Sequence, residues 1–240
     1  ASMVSPNLRT EPAMTTLILA CIAFVASHIV LSGTALRGMI AGRISEPGFL
    51  AVFSLVALAS ITWMVIAFNS AGYVEVWNAG RALKGIAWIV MLPAVLFVVC
   101  GNVTPNPSSV GSEKLLQKDD IARGIFTVTR HPLMWGIALW AIAHVMANGD
   151  LAGLIFFGTM LVLTLAGVAS QEQKKRARAG DDWDRFAAKT SFLPFLAIIE
   201  RRTSLDLKGI GWWRATVSAV VYAALVLLHP WVIGVSPIPQ

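Results

Sequence analysis

The chain has 240 residues and a formal net charge of +6; 56% of it is hydrophobic and only 13% charged, with a mean hydropathy of +0.70. Soluble domains are nearer half apolar and a quarter charged, so composition argues against an ordinary soluble enzyme. The excess of Lys and Arg lacks the aromatic interleaving of a nucleic-acid surface, so nucleic acid is excluded as a partner.

In chain order, residues 1–13 (ASMVSPNLRTEPA) read as a disordered N-terminal extension without the pattern of a cleavable signal. Met14 is the candidate native start, and 14–240 reads as a single membrane domain. A bilayer-spanning helix needs about 20 largely apolar residues. Six stretches are candidates: 14–33, 48–70, 83–101, 133–148, 151–170 and 214–235. The expected fold class is therefore all-α, a polytopic membrane protein with about six transmembrane helices. The fourth span is the shortest, and Asn148, Gly149 and Asp150 form a predicted hairpin turn between it and the fifth.

Of the 19 Lys and Arg, only Arg9, Arg81 and Lys84 lie outside the loops that follow the first, third and fifth spans. The positive-inside rule places those loops in the cytoplasm and both termini outside. Membrane lipid is thus the first expected partner. Lys174, Lys175, Arg176 and Arg178 are expected to end a helix in the headgroup layer, with a phosphate site as the lesser reading. The apolar run FLPFLAII (192–199) is too short to span and is broken by Pro194, so it is expected to lie in the interface. Cys21 and Cys100 read as buried free thiols rather than a disulfide.

Four histidines punctuate this apolar pattern. His229 sits near the end of the last span, where water is in reach, and reads as structural. His28 and His144 lie well inside their spans, where a polar side chain is costly and a functional site is the default hypothesis. A neutral imidazole hydrogen-bonded to a neighbouring helix is the competing reading. Two neutral imidazoles from different helices are what axial ligation of a haem b requires. Zinc fits less well, since no Cys or carboxylate shares the membrane interior to complete a tetrahedral shell. His28 lies about five residues from the inner end of its span and His144 eleven or twelve, an axial offset of about 10 Å that tilt or a displaced helix must absorb. Arg130 and His131, in TRHP at the mouth of the fourth span, suit an interface anchor, a lipid phosphate or an anionic cofactor.

The segments SHIVLSGTALR (27–37), PNPSSVGSEKLL (105–116), TRHPLMWGIALWAIAHVMANGDLAGLIFFG (129–158) and TSFLPF (190–195) resemble the NnrU family of bacterial inner-membrane proteins. That resemblance implies a bacterial inner-membrane location and a link to denitrification, either through redox or nitric oxide or as a non-catalytic assembly factor for the nitrite and nitric oxide reductases. The family is similar to the 15-cis-ζ-carotene isomerases, integral membrane haem b proteins. This likeness implies His28 and His144 as the haem ligands, a lipid-soluble polyene or nitric oxide as the small partner, and, if the chain is an enzyme, a cis–trans isomerase-like reaction. Where the isomerase carries a Cys three residues before its second ligand, this chain has Ala141, so a Cys-for-His ligand exchange is not expected. A more distant similarity is to the isoprenylcysteine carboxyl methyltransferases. Arg130, His131, Pro132 and Gly136 fit their RHPxYxG pattern, and Glu172, Gly180, Trp183, Phe186 and Pro194 fit the later one. That would make S-adenosylmethionine the alternative cofactor, held near Arg130 and His131, but Met134 replaces the Tyr and Gln173 a second acid.

Overall fold

The computed structural model describes residues 10–33, 35–109, 111–118 and 120–239; most of the predicted N-terminal extension (1–9) and the terminal Gln240 lie outside the described residues. It is all-α. Five helices are long and apolar enough to cross a bilayer: Glu11–Ser32, Glu46–Ser70, Arg81–Val103, Leu151–Ala179 and Trp212–Val232. The sixth apolar helix, Pro132–Asn148, has 17 residues, about 26 Å at 1.5 Å each, slightly less than a hydrocarbon core of about 30 Å. In lipid every backbone N–H and C=O must be satisfied within its own segment, which is why these apolar runs are helical. The chain is a multi-pass membrane protein, and its Cα packing divides it into two compact units, residues 1–79 with 148–163 and residues 80–147 with 164–240.

The first unit holds α1 (Thr10–Gly33), α2 (Ala35–Ile44), α3 (Glu46–Ser70) and the first half of α7 (Leu151–Ala179). Leu17, Ala20, Cys21 and Phe24 of α1 are buried, as are Phe49, Met64 and Ala67 of α3. Phe68 packs on Phe156 and Phe157 at ring separations of 4.9 and 5.8 Å. The predicted turn is present: Gly149 has φ +69°, and its carbonyl accepts from the backbone N–H groups of Val76 and Trp77. Only glycine adopts that φ readily, and an added Cβ would strike the Trp77 carbonyl. The short helix α2 was not anticipated; it follows the first span directly, and its Arg37 forms an ion pair with Glu46.

The second unit is built on α4 (Arg81–Val103), a 3-10 turn (Glu113–Gln117), α5 (Ile125–Val128), α6 (Pro132–Asn148) up to Ala147, and the polar half of α7. It continues through α8 (Asp181–Lys189), α9 (Leu196–Ile199), α10 (Leu207–Ile210) and α11 (Trp212–Val232). Gly101 and Gly136 let α4 and α6 touch: a Cβ on Gly101 would lie 2.6 Å from the Leu133 nitrogen, and one on Gly136 2.8 Å from the Ala94 carbonyl oxygen. The polar side of the unit has its own core of Phe97, Cys100, Leu116, Ile125, Phe126, Val128, Trp183 and Phe186. By contrast, Ser218 is the one buried residue of α11 among the described residues, and Leu227, Trp231 and Val232 point outward. An apolar helix this exposed is stable only with lipid or protein against it. Both cysteines are buried free thiols.

The FLPFLAII segment is non-helical over half its length. Only Leu196–Ile199 makes a helical turn, and Phe195 enters it with φ +66°. Its backbone is tied to the protein instead, through Phe195 N–H to the Val128 carbonyl (2.8 Å) and the Phe192 carbonyl accepting from Thr129 Oγ1 and Trp135 Nε1 (both 2.8 Å). Pro194 removes the regular donor pattern, so the run satisfies itself on neighbours.

Asp206 fastens the next loop. Its carboxylate accepts from Gly124 N–H (2.9 Å) and Gly209 N–H (2.8 Å), and those two bonds hold its pKa below the usual carboxylate range. Asp206→Ala is expected to cost about 1 kcal/mol, a few degrees of Tm. The folded-state pKa is lowered, so this stabilisation is complete above pH about 4 and fades as the pH falls further. Thermal scans of variant and parent should differ at pH 7 and converge in acid. A constant difference at every pH would assign the effect to packing.

Candidate functional site

In the second unit, Thr129, Arg130 and His131 join α5 to α6, and Pro132 takes the first helical position, where its missing N–H is not needed. The polar face of α7 supplies their partner. Arg130 Nε and Nη2 both donate to Glu172, the second to Oε2 at 3.0 Å, while His131 Nε2 lies 2.7 Å from Glu172 Oε1. Arg130 Nη1 also donates to the Thr190 carbonyl (3.0 Å), and Arg130 N–H to that of Ser191 (2.9 Å). His131 is packed beside Trp183 and Phe192 and is only 2% exposed. Burial lowers its pKa, the Glu172 carboxylate pulls it upward, and burial is the larger influence. A carboxylate only accepts, so the Nε2 of His131 carries the proton that faces it.

One turn along α7, Lys175 is buried, whereas Arg176 and Arg178 of the same basic run are exposed. Its ammonium donates to the Ser109 carbonyl and to Glu113 Oε1 (3.0 Å). Arg202 donates through Nη1 to the carbonyls of Ala187, Ala188 and Thr190, closing the C-terminal end of α8. An open cleft of about 540 Å³ lies beside Arg130, Arg176, Asp184 and Arg202. Its cations are already committed: Arg130 to Glu172, Arg176 to Asp184 at 2.9 Å, and Arg202 to the helix end. The residues that resemble the methyltransferase pattern therefore hold one another.

His28 belongs to the first unit and His144 to the second, and the two are held in the same way. The Nδ1 of His28 lies 2.8 Å from the Phe24 carbonyl oxygen, and that of His144 lies 2.8 Å from the Trp140 carbonyl oxygen, each four residues back on its own helix. A carbonyl oxygen only accepts, so Nδ1 carries a proton in both rings; in an uncharged imidazole the lone pair is then on Nε2. This second interaction is the one that orients imidazole ligands of metals and fixes their tautomer. Phe24 and Phe53 flank His28 at 4.4 and 5.3 Å, and Trp140 lies 5.0 Å from His144. Ala141 is fully buried on the same helix. Among the described residues there is no cluster of three or more His, Cys, Asp or Glu side chains suited to a bare metal ion.

The NnrU protein family profile matches residues 16–237. The chain belongs to the NnrU protein family. This NnrU member is also 32% identical over 82 residues to the chloroplastic 15-cis-zeta-carotene isomerase of Arabidopsis thaliana and 30% identical over 82 residues to that of Zea mays. In each case the match covers 34% of this chain and 22% of the isomerase, so the chain spans about a fifth of the length of the curated relatives it matches. No solved structure matches it significantly.

Sequence reading of this NnrU member singled out Arg130 and His131 but not the network that takes them up. Thr190 was missed, Lys175 was read as one of four cations ending a helix in the headgroup layer, and Glu172 entered only by resemblance. A signal was present in the spacing. Thr164, Val168, Glu172 and Lys175 recur at intervals of four, four and three, one inward stripe of α7 that continues from the apolar half into the polar half.

Proposed function

We propose that this chain is an integral haem b protein of the bacterial inner membrane in which His28 and His144 are the axial ligands, acting on a lipid-soluble polyene in the manner of a cis–trans isomerase. The observation that carries the reading is the shared Nδ1-to-carbonyl hydrogen bond of these two histidines, which orients both rings alike and makes Nε2 the nitrogen that would ligate iron. Their donor chemistry fits a haem: each is an imidazole whose Nδ1–H faces a helical carbonyl, with aromatic neighbours around the ring. His131 does not fit, since its Nε2–H is committed to Glu172. Bound there, a haem b would supply one-electron redox chemistry inside the apolar layer.

The residues of the chain hold and shield. Phe24, Phe53 and Trp140 surround the rings with apolar surface, and the helical carbonyls fix both tautomers. Cis–trans isomerisation moves no atom between molecules and needs no net proton, which suits an apolar span interior. The 82-residue similarity to the carotene isomerases favours a polyene substrate. Protein purified in detergent from haem-replete cells should contain stoichiometric haem b by pyridine haemochrome, and a haem-free preparation overturns the proposal. The family resemblance would put the same two histidines to use in a nitric-oxide-linked role in denitrification; nitric oxide added to the reduced protein should then shift the spectrum.

The distribution of basic residues supports both termini on the periplasmic face. An alkaline phosphatase fusion at Gln240 is expected to be active in a bacterial host. Activity from a cytoplasmic reporter at the same position instead would reverse the topology.

A further inference from the structure

A second cleft of about 360 Å³ opens in the second unit, lined by Thr104, Lys118, Arg123, Lys208 and Arg214 among others, with Asp120 the one acidic side chain in its wall among the described residues. Its size is within the range of small-ligand sites. We propose that it binds a phosphate group, presented either by an anionic lipid headgroup or by a soluble phosphate.

Spare donors are the reason. Asp120 is taken by Arg123 at 2.6 Å, which leaves Lys118, Lys208 and Arg214 uncompensated within the wall. Lys118 and Lys208 are exposed and have no ion pair among the described residues. Arg214 spends Nη1 on the Ile210 carbonyl (2.8 Å) and lies over the Trp213 ring at 4.5 Å, yet its Nε is buried without a hydrogen-bond partner. The Thr104 hydroxyl is likewise buried and unpartnered. A buried donor left unmade is costly, so this wall calls for a ligand that only accepts. Phosphate offers acceptor oxygens and negative charge, and charge-assisted bonds to Lys and Arg are the strong ones. The cleft beside Arg130 has no such reserve, because each of its cations is already matched.

The place in the fold suits a headgroup. The cleft lies where α4 ends and α11 begins, and Trp212 and Trp213 stand exposed at that point, as interfacial aromatics do.

The test uses the delipidated full chain in detergent, titrated with dihexanoyl phosphatidic acid, with the phosphate-free dihexanoylglycerol as control, and read by tryptophan fluorescence. Phosphatidic acid should bind at least about tenfold more tightly than the control. Lys118→Gln with Lys208→Gln should weaken it about tenfold again. Both side chains are exposed, so the fold should tolerate the change. Lys114→Gln with Lys189→Gln removes the same charge elsewhere and should leave binding unaltered. Competition by inorganic phosphate would identify a soluble phosphate as sufficient, whereas its failure to compete would assign the site to lipid. Equal binding of the phosphate-free control, or equal weakening by both pairs of substitutions, overturns the proposal.

Discussion

Glu172→Ala is expected to lower the Tm by roughly 6–20 °C, the equivalent of about 3–5 kcal/mol for breaking a buried ion pair in a chain of this size. Three hydrogen bonds end on this carboxylate, two from Arg130 and one from His131. The side chains are 13%, 1% and 23% exposed for Arg130, His131 and Glu172, so solvent replaces little of what is lost. Removing the acid strands a guanidinium beside a buried imidazole, and the penalty is that unpaired charge more than the absent contact. A second substitution, Arg130→Met, should therefore recover part of the loss, which an additive pair of changes would not do. The measurement separates two roles for Arg130. If its task were to hold a lipid phosphate, Glu172→Ala would free it to do so and the Tm would stay level or rise; that result would contradict the structural role assigned to the pair.

The apolar spans were legible because an almost uncharged apolar run of about 20 residues has the length and chemistry of a bilayer core and little else in a protein does. Their ends moved: α3 starts slightly earlier, at Glu46, and α7 runs more than two turns further, to Ala179, because a helix continues past the lipid wherever its next turn can be satisfied. The polar half of the second unit was harder. Its helices α5, α9 and α10 have four residues each, too short to leave a periodic signal, and they are held by side chains distant in sequence, such as Asp206 on Gly124. Lys175 illustrates the same limit. Inside KKRAR it reads as one more solvated cation, and only the stripe through Glu172 shows that it turns inward to Ser109 and Glu113. For the histidines, the sequence placed His28 and His144 within spans and His131 at a mouth. It held no hint that the first two share one tautomer and the third holds the other, because that depends on which oxygen each ring faces.

Under the proposed haem ligation, the difference in tautomer has a large spectroscopic consequence. An imidazole held by its Nδ1–H can offer Nε2 to iron without leaving a buried proton unmatched, and loss of that imidazole leaves the iron one ligand short. The direct measurement is the absorption spectrum of the detergent-purified wild type beside His28→Ala, His144→Ala and His131→Ala. Wild type should show the low-spin Soret and α bands of bis-His haem b. His28→Ala and His144→Ala should each lose the haem or turn high-spin, and His131→Ala should keep the wild-type bands in whatever protein remains folded. A low-spin spectrum that survives both single substitutions, at His28 and at His144, would contradict the assignment of ligands.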